Sequence, residues 1–209
     1  MHTDISLREW KKARSKVALY EAMLALIEDR MFREVMLDDI CRRAEVSRVT
    51  FFKFFARKED LLVYYMRVWL TERMIEIEAG QKRGFAAIRH LLHQVAEAYR
   101  VRAGIMPSLI AALAEVKMHP AMPELSEAEV RLLFPGHEDL GALAPDMFKL
   151  FRQCMTEAEA AGELREGVTV DMAVKALFTV FYGAFLTAQL YASADIEGFY
   201  EAHLGLLQK

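Results

Sequence analysis

Cysteine is nearly absent from this chain. The two present, Cys41 and Cys154, stand far apart with no CxxC or Cys/His cluster beside them, which argues against a disulfide framework or a zinc site and leaves buried thiols as the expectation. No apolar run continues unbroken for the roughly 18 positions a membrane span needs, and no basic segment leading into an apolar stretch opens the chain. A soluble, cytoplasmic protein with no membrane partner is therefore expected. Glycine and proline are scarce, ten and five, and nothing alternates with period two for long enough to build a sheet. The catalytic signatures are missing too: there is no GxSxG, GxGxxG, P-loop or HExxH, and no cysteine with a partnered histidine. The expectation is a protein that binds rather than catalyses, without cofactor or metal.

What is present is an apolar, helix-forming chain. Its 209 residues are 54% hydrophobic and 27% charged, enough for a small domain joined to a larger one. The net charge of −3 is unevenly spread: residues 1–67 hold 14 Lys and Arg against 11 Asp and Glu, and residues 68–209 hold 13 against 19. The basic excess at the front weighs towards a polyanionic partner for that part.

Apolar residues recur at spacings of three and four along most of the chain, which predicts an all-α fold. A first helix is expected over 7–30, with Val17, Tyr20, Leu24 and Ile27 on one stripe. Two short helices, 37–44 and 48–55, are separated by Glu45, Val46 and Ser47, and a long one runs over 58–79. Further helices are expected over 85–103, 107–117, 126–133, 146–161, 170–193 and 195–208. Pro120, Pro123, Pro135, Gly136, Gly141 and Pro145 mark two irregular connections. The segment Met172 to Ala192 has only Lys175 charged, too apolar for a single inward stripe, so burial on several sides is expected.

The informative stretch is Asp38-Asp39-Ile40-Cys41-Arg42-Arg43-Ala44-Glu45-Val46-Ser47-Arg48-Val49-Thr50-Phe51-Phe52-Lys53-Phe54-Phe55, followed by Ala56-Arg57-Lys58-Glu59-Asp60-Leu61-Leu62. It reads as helix, tight turn, helix. Ile40, Ala44 and Val46 suit the seam between two short helices, with Ala44 allowing close approach. Ser47 suits the N-cap of the second helix, because its hydroxyl can accept a hydrogen bond from a free amide of the first turn. If Phe51 and Phe55, four apart, fix that helix to its support, Arg48, Val49, Thr50 and Lys53 face outward on its N-terminal half. A guanidinium there suits guanine, a hydroxyl a base edge or phosphate, and a methyl thymine. Lys53 and Lys58 suit backbone phosphates. Four phenylalanines exceed one helix face, so at least one ring should meet solvent unless a partner covers it.

From about Val17 to Leu62 the chain resembles the TetR family of transcriptional regulators. The resemblance rests on Ala44, Val46-Ser47, Thr50-Phe51-Phe52 and the junction Phe55-Ala56-Arg57-Lys58-Glu59-Asp60-Leu61. It implies a three-helix DNA-binding head over residues 1–62 and a helical ligand-binding and dimerisation domain over 63–209. It also implies base or backbone contacts from Arg48, Val49 and Thr50, phosphate contacts from Phe52, Phe54 and Lys58, and a hinge at Lys58 to Leu62. The chain departs from the family pattern at four places. Phe52 stands for a tyrosine, Glu45 for the turn glycine, Met31 for the glycine after the first helix, and Met36 for a capping threonine.

A helix-turn-helix regulator reads two half-sites of a palindromic operator in double-stranded DNA as a rigid homodimer. Small residues suited to close packing point to Phe181, Gly183, Ala184, Phe185, Ala188 and Ala192 as interface candidates. Methionine is plentiful, twelve in the chain, and suits a pliable pocket for a small apolar or amphipathic effector. Candidate lining residues are Tyr99, Met106, Met118, Phe148, Phe151, Met155 and Tyr182. His90 and His93 share a helix face, but no nearby Cys or carboxylate is expected to complete a metal ligand set. The alternative reading is a helical ligand-binding or partner-binding protein without DNA-binding activity, in which residues 37–55 are ordinary packing helices.

Overall fold

A computed structural model describes residues 5–116 and 121–209, and within them the chain is all helical. The helices are α1 (Leu7–Ile27), α2 (Leu37–Arg43), α3 (Arg48–Phe54), α4 (Asp60–Ala79), α5 (Gly84–Val101), α6 (Ile105–Val116), α7 (Glu127–Leu133), α8 (Glu138–Ala142), α9 (Met147–Ala160), α10 (Val170–Leu190) and α11 (Ile196–Leu204). A single 3-10 turn, Phe32–Glu34, lies between α1 and α2. The chain divides into two compact units: the described residues of Met1–Ile75 with Val101–Pro145, and of Glu76–Arg100 with Asp146–Lys209. The break expected between residues 62 and 63 concerns function; packing divides the chain elsewhere.

In the first unit α1 packs on α2, α3 and α7. A capping box opens α1: Ser6 Oγ accepts from the Glu9 amide at 3.3 Å, and the Glu9 carboxylate accepts from the Ser6 amide at 3.0 Å. Its inward stripe buries Leu19, Met23 and Ile27 completely, and Phe32, Ile40 and Phe51 of the same unit are buried as well. The segment after α1 is held by α6. The Phe32 amide donates to Ser108 Oγ at 2.8 Å and the Gly104 amide to the Glu28 carbonyl at 2.9 Å. A Cβ at Gly104 would collide with the Arg30 carbonyl, so this approach requires glycine.

In the second unit α10 packs against α9 and α11. The Tyr200 hydroxyl of α11 donates to the Phe181 carbonyl at 3.1 Å, and an isolated bridge joins Leu164 to Gln208. Arg89 of α5 ties down the C-terminal segment through Glu201 at 3.0 Å and Gln208 at 2.6 Å.

Two expectations need correction. Helix α8 falls where an irregular connection was expected. Gly141 belongs to this helix because a side chain there would strike Phe134 and Val130, a reason that exists only in the fold. Helix α10 is not closed in on several sides within the chain: Met172, Leu186 and Leu190 are exposed, as is Tyr191 just beyond it. Among the described residues α10 is the one helix long and apolar enough by length and composition to cross a membrane, yet its inner face is a protein core of Ala173, Leu177, Phe181, Phe185 and Ala188.

Candidate nucleic-acid interface

The turn between α2 and α3 is a Schellman closure. The Val46 amide donates to the Cys41 carbonyl at 2.9 Å and the Glu45 amide to the Arg42 carbonyl at 3.2 Å. Glu45 takes the left-handed position with φ of 55°, a conformation that favours glycine. The missing glycine after α1 is resolved differently. Met31 is extended, with φ of −67°, and the left-handed residue is Glu28, with φ of 40°. Met36 sits at the N-cap of α2, exposed and without a side-chain cap.

Ser47 caps α3 as its position predicts, accepting from the Thr50 amide at 3.2 Å. Its hydroxyl also lies 2.9 Å from that of Thr50, so the Thr50 oxygen is oriented by its neighbour. Phe51 is wholly buried and Phe55 nearly so, with ring centres 5.4 Å apart. Phe55 meets Tyr64 edge-on at 5.7 Å, and Tyr64 meets Tyr20 of α1 at 5.5 Å. This aromatic row fixes α3 against α1 and α4. The other side of α3 is therefore outward: Val49 is 70% exposed, Phe52 is 51% exposed, Arg48 and Lys53 are exposed, and Phe54 is half-buried. Arg48 reaches back to Asp38 of α2 at 3.4 Å, an exposed pair of little weight in folding.

Lys53, Phe54 and Thr50 also line one wall of a groove of about 960 Å³, whose other wall is Leu7, Arg8, Lys11, Lys12 and Ser15 of α1. Four cations line it and, among the described residues, no carboxylate does, which suits a polyanion backbone. The α1 residues escaped the sequence reading although Arg8, Lys11, Lys12 and Ser15 share a helix face at spacings of three and four; their basic character was legible, but their neighbour α3 was not.

Lys58 departs from expectation. Its ammonium donates to the carbonyls of Val35 at 2.9 Å, Phe32 at 3.0 Å and Arg33 at 3.4 Å, and lies 4.7 Å from the Phe32 ring centre. Burial pushes its pKa down. With three donors engaged in closing the 32–35 segment, it is a structural pin rather than a free phosphate ligand. The junction after it is braced by Asp60, whose carboxylate accepts from the Arg57 amide at 2.9 Å.

The effector candidates are divided between the two units. In the second unit Phe151 and Met155 are sealed in the core, Phe148 is 48% exposed, and Tyr99 and Tyr182 are half-buried. Tyr99 meets Phe185 edge-on at 5.3 Å and Tyr182 meets Phe181 at 4.9 Å; Phe151 packs on Phe178 at 5.0 Å. Met106 is buried in the first unit, and Met118 lies outside the described residues.

Four of the interface candidates, Phe181, Ala184, Phe185 and Ala188, are core side chains of their own unit, while Gly183 is half-buried and Ala192 exposed. The outward stripe of α10 is instead Met172, Thr179, Leu186 and Leu190. His93 also differs from expectation, since Glu97 and Glu197 bring their ligand atoms within 4.8 Å of one another and of the ring. Arg100 pairs with both carboxylates and offsets one of their two charges.

A capped helix presented outward after a tight turn, beside a cationic groove, is a helix-turn-helix arrangement. Residues 19–65 match the family of bacterial regulatory proteins, tetR family, so the chain carries a tetR-family segment at its N-terminus. Its fold as a whole is that of several solved structures. One, described as the molecular basis for control of antibiotic production by a bacterial hormone, has a TM-score of 0.61 and 20% identity, covering 98% of this chain and 100% of the other. The regulatory protein TetR from Rhodobacter sphaeroides has a TM-score of 0.55 and 19% identity, covering 92% and 98%. Thermus thermophilus FadR, a TetR-family transcriptional repressor in complex with lauroyl-CoA, has a TM-score of 0.52 and 22% identity, covering 91% and 92%. A comparison with curated proteins found no match.

Proposed function

We propose that this chain is a sequence-specific DNA-binding transcriptional regulator, a repressor that a small effector releases from its operator. The observation that carries this reading is the division of α3: Phe51 is fully buried while Val49 and Arg48, on its first turn, face solvent. Arg48, Val49 and Thr50 read base edges in the major groove. Lys53, Phe52 and Phe54, with Arg8, Lys11 and Lys12 across the groove, hold the phosphate backbone. The head is residues 1–62 and the remainder, 63–209, senses the effector and dimerises. Two heads held by a homodimer meet a palindromic operator in the cytoplasm. No bond chemistry is required of the protein.

The effector is a small apolar or amphipathic molecule. The acyl-CoA bound by the similar FadR structure makes long-chain acyl thioesters the first class to test. Binding acts by population shift, disfavouring the operator-bound arrangement by the difference in effector affinity between the two states.

Selection of bound duplexes from a random pool, followed by anisotropy titration over a range of salt, tests the reading. A palindromic consensus and a log–log salt slope of several units are expected, since phosphate contact releases counterions. Affinity without salt dependence or sequence preference would leave the DNA-free alternative standing.

A further inference from the structure

In the interior of the first unit one cation has no carboxylate paired with it among the described residues. Arg67, in the middle of α4, has no exposed surface. Its guanidinium donates to Thr71 Oγ1 and, at 2.7 Å, to the Gly141 carbonyl, and its Nε has no partner. Among the described residues no carboxylate forms an ion pair with it. The acid closest in influence is Glu129, whose oxygens are already occupied. Oε1 accepts from Lys16 at 2.8 Å and from the Tyr64 hydroxyl at 2.9 Å. Oε2 accepts from the Ser126 amide at 3.1 Å and its hydroxyl at 2.8 Å. Glu129 thus compensates Lys16, and Tyr64 stays a neutral donor because burial and the adjacent carboxylate push its phenol pKa up.

A guanidinium does not lose its proton in proteins, and a buried charge without a counter-charge is strongly unfavourable. The cluster of Lys16, Glu129 and Arg67 therefore carries a net single positive charge with an unused donor at its centre.

We propose that Arg67 is the anchor of an internal site for one monovalent anion, a halide or a carboxylate, seated on its Nε. The charge of the cluster sets the valence, because a divalent sulfate or phosphate would leave an excess negative charge in the same interior. The donor set sets the chemistry: a guanidinium edge fits a carboxylate fork or a single halide, and the neutral Thr71 hydroxyl offers no competing charge. The anion is either free inorganic ion or the carboxylate of a larger organic molecule. This site rests on the folded chain alone and does not depend on the DNA-binding reading.

The test uses the full chain and two probes. Crystals soaked in sodium bromide are examined for an anomalous peak within hydrogen-bond distance of Arg67 Nε, and sodium octanoate is titrated calorimetrically with and without bromide. A bromide peak identifies a free-ion site. Saturable one-to-one octanoate binding without a bromide peak identifies a site for the carboxylate of a larger ligand. In either case Arg67→Met is expected to weaken the binding by about tenfold or more, the loss of a charge-assisted hydrogen bond. Absence of both signals from the wild-type chain overturns the proposal, and this needs no variant to fold. Octanoate binding unchanged in Arg67→Met also overturns it.

Discussion

The Lys16 ammonium lies 2.8 Å from the Glu129 carboxylate and joins α1 to α7. Both side chains are largely shielded, with 17% and 6% of their surfaces exposed. Burial pushes the Glu129 carboxyl up, but Lys16 and the two Ser126 donors outweigh it and hold the pKa below its ordinary 4.5. A carboxyl depressed in the folded state adds stability that is complete above its unfolded value and disappears as pH falls through the folded value. Urea unfolding should therefore give stability that holds at neutral pH and declines below about pH 4.5. Glu129→Gln should cost about 2–3 kcal/mol at pH 7, because Lys16 is left without its partner, and should shallow the acid decline. An unchanged pH profile in the variant would exclude this carboxylate as its source.

Glu45 occupies the left-handed position of the Schellman turn with no glycine to ease it. A side chain in that region costs about 1–2 kcal/mol, partly offset by the greater unfolded-state freedom of glycine. Glu45→Gly should raise the unfolding free energy by about 0.5–1 kcal/mol, read by thermal or urea melts. A loss of stability would mean that the Glu45 side chain makes a contribution larger than its backbone strain.

The contrast between such positions explains how much was legible beforehand. The helix-turn-helix could be read because its determinants are local: Ser47 caps the amide three residues on, and Phe51 and Phe55 share a face by spacing alone. The order of the other helices, α8 apart, was legible for the same reason. Lys58 was misjudged because its acceptors lie 23 to 26 residues away, on a segment whose path depends on α6. Gly141 looked like a loop residue because Phe134 and Val130, which leave no room for a side chain there, are brought to it by the fold. For α10 composition showed an apolar helix but not its inner side; Phe185 and Leu186 are adjacent in sequence, one buried and the other exposed.

Arg48 and Asp38 form an exposed pair at 3.4 Å on the face proposed to meet DNA. The pair itself is worth little to folding, so its partners can be changed with small structural consequence. Arg48→Ala should relax preference at one base position in each half-site, with a loss of about 1–3 kcal/mol in operator affinity. Lys53→Ala should weaken all duplexes similarly and shallow the salt slope by about one unit. Asp38→Asn should tighten binding, since a carboxylate is removed from the surface proposed to approach phosphates. Parallel anisotropy titrations on operator and scrambled duplexes separate these effects, and equal losses on both sequences for Arg48→Ala would remove it from base reading.

Self-association can be separated from core packing on α10, because its two faces are adjacent but differently buried. Leu190 is 84% exposed and Leu186 is 37% exposed, whereas Phe181 and Phe185 are internal. Phe148 and Met172 are also exposed, and the outer leucines belong to the face proposed for the homodimer. Replacing both by Glu should leave the fold intact, as judged by circular dichroism and melting, while sedimentation at micromolar concentration shifts from dimer to monomer. Operator affinity should fall with it, since one head engages only a half-site. Phe185→Ala should instead lower stability by about 3–5 kcal/mol through the cavity it leaves. A Leu186→Glu, Leu190→Glu chain that still sediments as a dimer would place the proposed interface on another face.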